Sequence, residues 1–66
     1  MKIDVMAIVR ILAEREMTKS ELAEKSGLSR QNISTIIGRG TCEPKTAGKL
    51  AVGLGVSVEE IMKEER

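Results

Sequence analysis

Residues 18–37, TKSELAEKSGLSRQNISTII, decide the architecture. Thr18 is followed three positions later by Glu21, the spacing of a capping box in which the hydroxyl takes one orphan amide and the carboxylate another. Met17 and Leu22 flank that cap at the distance of a hydrophobic staple. Gly27 stands where the helix must stop, in the left-handed conformation that glycine adopts without strain. Ser29 then caps a second helix without a box, since Asn32 fills the third position, and Leu28 to Ile33 repeats the staple. Two helices so closely joined have no room for long antiparallel arms. They must cross steeply, which predicts a helix-turn-helix at about residues 18–38.

Outward from this unit the hydrophobic pattern remains helical, and no stretch alternates long enough to read as a strand. Val5, Ile8, Val9 and Leu12 mark a first helix over roughly residues 4–15, with Asp4 as its N-cap. Between Pro44 and Gly55, the residues Ala47, Leu50, Ala51 and Leu54 form the inner face of a fourth, and Pro44 suits its entry. Gly48 and Gly53 weaken that helix by about 1 kcal/mol each relative to alanine. Of two readings, tolerated drift or the close approach of another helix, the pattern favours drift. Ser57 with Glu60 reads as another capping box, and Val56 with Ile61 as another staple, opening a fifth helix. Met1 reads as a disordered start, and Met6, Met17 and Met62 as core or interface filler. The expected fold is all-α, a single domain over residues 1–66 with five short helices.

Composition removes several functions. The 66 residues include no Phe, Trp or Tyr, which argues against a small-molecule pocket and against stacking single-stranded bases. One cysteine and no histidine leave no internal disulfide, no zinc ligand set and no histidine-based triad. No cofactor and no enzymatic activity are expected. Cys42 reads as a small loop residue; a redox role, with Arg39 and Lys45 lowering its pKa, lacks a resolving partner. No apolar run could span a bilayer and no signal-peptide pattern occurs, so a cytoplasmic protein without a membrane partner is expected. The net charge is only +1, but its placement is uneven. Residues 19–49 carry Lys19, Lys25, Arg30, Arg39, Lys45 and Lys49 against Glu21, Glu24 and Glu43, whereas residues 50–66 are net acidic.

On the helix after Ser29, the 100° turn per residue gathers Ile33, Ile36 and Ile37 on one side. Gln31 and Thr35 stand opposite, flanked by Arg30, Asn32 and Ser34. A merely solvated face is ordinarily built from Lys, Glu and Ala, whereas Asn, Ser and Thr are poorer helix formers. Their side chains are those that pair with base edges: Arg with guanine, Gln or Asn with adenine, and the Thr35 methyl with thymine. Composition alone favours base readout over plain solvation.

At this point the segments TKSELAEKSGLSRQNISTIIGRG (18–40) and LAVGLGVSVEEI (50–61) resemble the Cro/cI-type helix-turn-helix proteins, also called the xenobiotic response element family, to which phage repressors belong. The likeness runs from about Arg10 to Met62, with Leu22-Ala23, Gly27, Ser29, Ile33-Ser34, Pro44, Leu54-Gly55-Val56 and Ile61 in register. It implies a compact five-helix, lambda-repressor-like domain whose third helix enters the DNA major groove while the second crosses the backbone. The positions implied to touch bases are Arg30, Gln31, Ser34 and Thr35, with Asn32 at the edge of that face. Those implied to hold phosphates are Thr18 and Lys19 at a helix N-terminus, and Arg39, Thr41, Lys45 and Thr46 in or beside the following loop.

Three departures from the family pattern matter. Leu12 and Ile37 replace an Arg–Glu pair, an exchange of buried charge for packing that can be neutral or stabilising. Arg39 replaces a common glycine, which displaces the expected helix exit among Gly38 to Gly40. Glu43 adds a negative charge to a loop that is often basic.

The resemblance implies a sequence-specific double-stranded DNA-binding regulator, a repressor of the phage or mobile-element type. So small a domain needs two copies, and Val52, Gly53, Val56, Val58 and Met62 are candidates for a homodimer interface; closing the core is the equal alternative for them. The other reading is an antitoxin or protein-interaction module that keeps the fold, with the acidic stretch EEIMKEER (59–66) as a helix for a protein partner.

Overall fold

The computed structural model describes residues 1–63. The first helix, α1 (Val5–Glu14), starts at Asp4, whose carboxylate accepts the Ala7 amide at 3.0 Å. Ahead of α2 (Lys19–Ser26) the capping box is complete. Thr18 Oγ1 accepts the Glu21 amide and Glu21 Oε1 accepts the Thr18 amide, each at 3.1 Å. Gly27 ends that helix at φ 76°, and Ser29 Oγ accepts the Asn32 amide at 3.0 Å to open α3 (Arg30–Arg39). Gly40, at φ 73°, stops α3 one residue beyond the family's usual glycine position, which Arg39 occupies. Pro44 begins α4 (Pro44–Leu54), and α5 (Val58–Ile61) is a single turn. Its start after Ser57 is as expected, but the second capping box is not formed. The Glu60 amide donates to the Ser57 carbonyl at 3.1 Å, so it has no need of the hydroxyl.

Helix α2 packs closely on both α3 and α4, while α5 bridges α4 and α1. Ile3, Ile8, Ile11, Leu12, Leu22, Ile33, Ile36, Leu50, Leu54 and Ile61 form the aliphatic core, with Ala47 and Ala51 where helices approach closely. Each fully buried Leu or Ile contributes about 1.5–3 kcal/mol. Leu12 and Ile37 both join this cluster, so apolar packing does stand where the family's ion pair lies.

Two expectations need correcting inside the helices. On α1 the buried residues are Ala7, Ile8, Ile11 and Leu12, while Val9 is 44% exposed. Residues 5–9 are all apolar, so the sequence offered two overlapping stripes, and contact with α5 selected the other. On α4, Gly53 is a close-approach glycine and not drift. A Cβ there would lie 2.9 Å from Ser26 Cβ and 3.0 Å from both Leu22 Cδ1 and the Ser26 nitrogen, whereas one on Gly48 would meet nothing within 4 Å.

Residues 1–4 form a strap between two other segments. On one side, Ile3 N–H donates to Gly40 O at 2.8 Å and Cys42 N–H to Met1 O at 3.1 Å. On the other, Asp4 N–H donates to Ile61 O at 2.8 Å and Lys63 N–H to Lys2 O at 3.1 Å. Met1 is therefore tied down rather than a loose start, and Ile3 is a core residue at 3% exposure. Helix α5 ends where Met62 turns extended and pairs with Ile3. The helix expected from the acidic stretch is thus formed only as far as Ile61, within α5, and residues 64–66 lie outside the described residues.

Candidate nucleic-acid interface

Helix α3 is divided between anchoring and presentation. Ile33 and Ile36 are buried, at 1% and 5% exposure, and Ile37 packs half-buried beside them. Arg30, Gln31, Asn32, Ser34 and Thr35 are all exposed. The side chains of Arg30, Gln31, Asn32 and Ser34 are engaged by no other described residue, which leaves their donors and acceptors available to a partner. Thr35 differs. Its hydroxyl donates to the Gln31 carbonyl at 2.9 Å, so toward the outside it offers lone pairs and a methyl group, not a proton.

An open groove runs along the far end of this helix. Asn32, Thr35 and Arg39 of α3 form one wall, and Thr41, Glu43 and Thr46 form the other. The structure therefore brings Arg39, Thr41 and Thr46 together beside the base-facing residues, while Lys45 is exposed on α4 but off the groove wall. Glu43 puts a carboxylate on that wall and lowers its attraction for anions.

At the other end, Lys19 is exposed on the first turn of α2. The Thr18 hydroxyl is committed to its cap, accepting from the Glu21 amide and donating to Glu21 Oε1 at 3.3 Å. An anion at this helix end would meet the Lys19 ammonium and the open first-turn amides before it met that hydroxyl.

Cys42, half-buried in the loop, makes a poor redox sensor. Burial pushes its thiol above the ordinary 9.0 and Glu43 pushes the same way, against the opposing positive charge of the chain terminus. The depression by Arg39 and Lys45 that a redox role would need is not found.

Among the dimer candidates, Val52 is 77% exposed and Met62 38%, whereas Val56 and Val58 are half-buried against the core. Gly53 faces α2 and leaves the set. The strap is what sequence reasoning missed, together with its pairing to the segments at Gly40–Cys42 and Ile61–Lys63. Its only signal was a single apolar residue, Ile3, between polar neighbours.

Compared with known families, the chain matches the model of the Cro/C1-type HTH DNA-binding domain over residues 7–65. No curated protein and no solved structure matches it.

Proposed function

The chain belongs to the Cro/C1-type HTH DNA-binding domain family, and on that premise we propose that it is a sequence-specific transcriptional regulator, a repressor that reads the major groove through the outer face of α3. The observation that carries this reading is the division of that helix. Its isoleucines pack on the core while Arg30, Gln31, Asn32, Ser34 and Thr35 stand outward, with no side-chain hydrogen bond among the described residues beyond one back-bonded hydroxyl. In the family's docking geometry these side chains meet base edges, and Lys19, Arg39, Thr41, Lys45 and Thr46 meet phosphates on either side.

The domain acts as a homodimer on a near-palindromic site with half-sites about one helical turn apart. A net charge of +1 gives one copy little backbone affinity. Of the candidate interface residues, Val52 and Met62 are exposed and left to join two copies.

The experiment is selection of the purified protein against random duplexes, followed by variants on the recovered motif. Replacing Gln31 or Thr35 with alanine should cost about 1–3 kcal/mol for each lost base contact, at unchanged melting temperature. Lys19→Gln should weaken binding to every duplex alike and flatten its salt dependence. A pool that returns no motif refutes the reading and turns the outer face of α3 toward a protein partner, as an antitoxin would use it.

A further inference from the structure

Thr35 differs from its neighbours on the outward face of α3 because its polar group is already engaged within the helix. Its Oγ1 donates to the Gln31 carbonyl at 2.9 Å, one turn back along the main chain, a bond that helical Thr makes readily. A hydroxyl has a single proton. This one therefore cannot be given to guanine N7 or O6, adenine N7 or thymine O4, all of which are acceptors. With the oxygen drawn back toward the main chain, the other branch of Cβ, the methyl group, is left to face outward. The surface beside it has an apolar floor. Between the polar walls of the groove along which Thr35 stands lie Ile36 and Cys42. Ile36 is 5% exposed and Cys42 half-buried, and a free cysteine packs as a small hydrophobe.

Resting on the DNA reading above, we infer that Thr35 selects thymine through its methyl group, with Ile36 and Cys42 as the apolar floor beside which the C5-methyl of the base is received. Of the four bases only thymine displays a methyl in the major groove, so an outward methyl on an apolar floor distinguishes it from the rest. The competing role is acceptance by the hydroxyl oxygen from the amino group of adenine or cytosine. That role needs the oxygen turned outward, whereas it lies against its own main chain. Arg30, Gln31, Asn32 and Ser34 make no side-chain hydrogen bond among the described residues, so the hydrogen-bonded part of readout rests with them. Thr35 adds a contact of shape and dehydration. Burying one methyl is worth about four-fold in affinity for each half-site.

The test uses the full chain on the selected operator, with deoxyuridine replacing thymine one position at a time, which removes the base methyl and nothing else. One thymine in each half-site should lose about four-fold in affinity on replacement. Thr35→Ser keeps the hydroxyl and drops the side-chain methyl, and it should bind the thymine and uracil operators equally. Thr35→Val keeps the methyl and drops the hydroxyl, and it should retain the parent's preference for thymine over uracil. At the same position, 5-methylcytosine should bind the parent about four-fold better than cytosine and Thr35→Ser no better. If no thymine responds to loss of its methyl, or if Thr35→Ser keeps the preference, the inference is overturned. The same holds if Thr35→Val loses it, because the hydroxyl is then the reading group. In each of these cases a recovered motif, weakened by Gln31→Ala, leaves the reading face standing. A pool that returns no motif overturns that face and this inference together.

Discussion

Gly48 and Gly53 stand on the same helix, and replacing each by alanine should move stability in opposite directions. Both substitutions gain about 1 kcal/mol from helix propensity. At Gly48 the new methyl meets nothing within 4 Å, so the gain should appear in full. For a domain of this size that raises the melting temperature by about 4–8 °C. At Gly53 the methyl would sit 2.9–3.0 Å from Ser26 Cβ, the Ser26 nitrogen and Leu22 Cδ1. Two of those atoms lie on or next to the α2 main chain, and Leu22 is fully buried. Rotating one side chain cannot relieve the clash; α2 must move.

Overpacking of this kind costs about 1–3 kcal/mol, and contact with main chain belongs at the upper end. After the propensity gain, Gly53→Ala should lose about 1–2 kcal/mol and melt roughly 4–16 °C lower. Thermal unfolding followed by far-ultraviolet circular dichroism measures both; the chain has no aromatic residue to report by fluorescence. If Gly53→Ala melts as high as Gly48→Ala, the close approach of α2 and α4 is wrong.

Two further substitutions probe local conformation. Glu16 lies in the turn after α1 at φ 51°, where a side chain costs about 1–2 kcal/mol. Glu16→Gly should therefore raise the urea midpoint, and no rise would mean that the turn has another shape in solution. Burial raises the Cys42 pKa, so the folded protein holds that proton at pH values where the unfolded chain has lost it. The contribution is present in full below the ordinary 9.0 and is lost as pH rises through the folded value. Cys42→Ala should remove that part of the alkaline loss of stability. Thiolate absorbance near 240 nm, free of aromatic overlap, should develop only above the ordinary range, and a normal titration would contradict the burial.

The helix-turn-helix was legible because its signals are local. Thr18 with Glu21, Gly27 and Ser29 act within one turn of themselves, and each is found in the role its chemistry dictates. The outward face of α3 was legible for the same reason, since Ile33 and Ile36 define its opposite. Features that depend on distant segments were not. Val9 and Ile11 are equivalent to any pattern until α5 is placed beside them. Gly53 looks like Gly48 until α2 lies against it. The strap consists of lanes too short to show a two-residue period, so Ile3 gave no strand signal although it is buried in the core. Ser57 shows the reverse limit: a correct helix start whose side-chain bond is redundant in a single turn.

The strap also orders events in time. The α2–α3 and α2–α4 contacts join segments near one another in the chain, whereas residues 1–4 bond to partners roughly 40 and 60 residues away. Loop closure must precede any return from those bonds. The helices can therefore assemble before the ends meet, and the strap is the last part to form. By the same free-energy ordering it is the first to open, in local excursions that leave the four larger helices together. During each excursion the Gly40 carbonyl and the Cys42 amide lose their partners, so amide exchange at Ile3 and Cys42 should outpace exchange at Leu22 and Leu50. The exit of α3 would then be set by a closure that opens and reforms many times for each global unfolding.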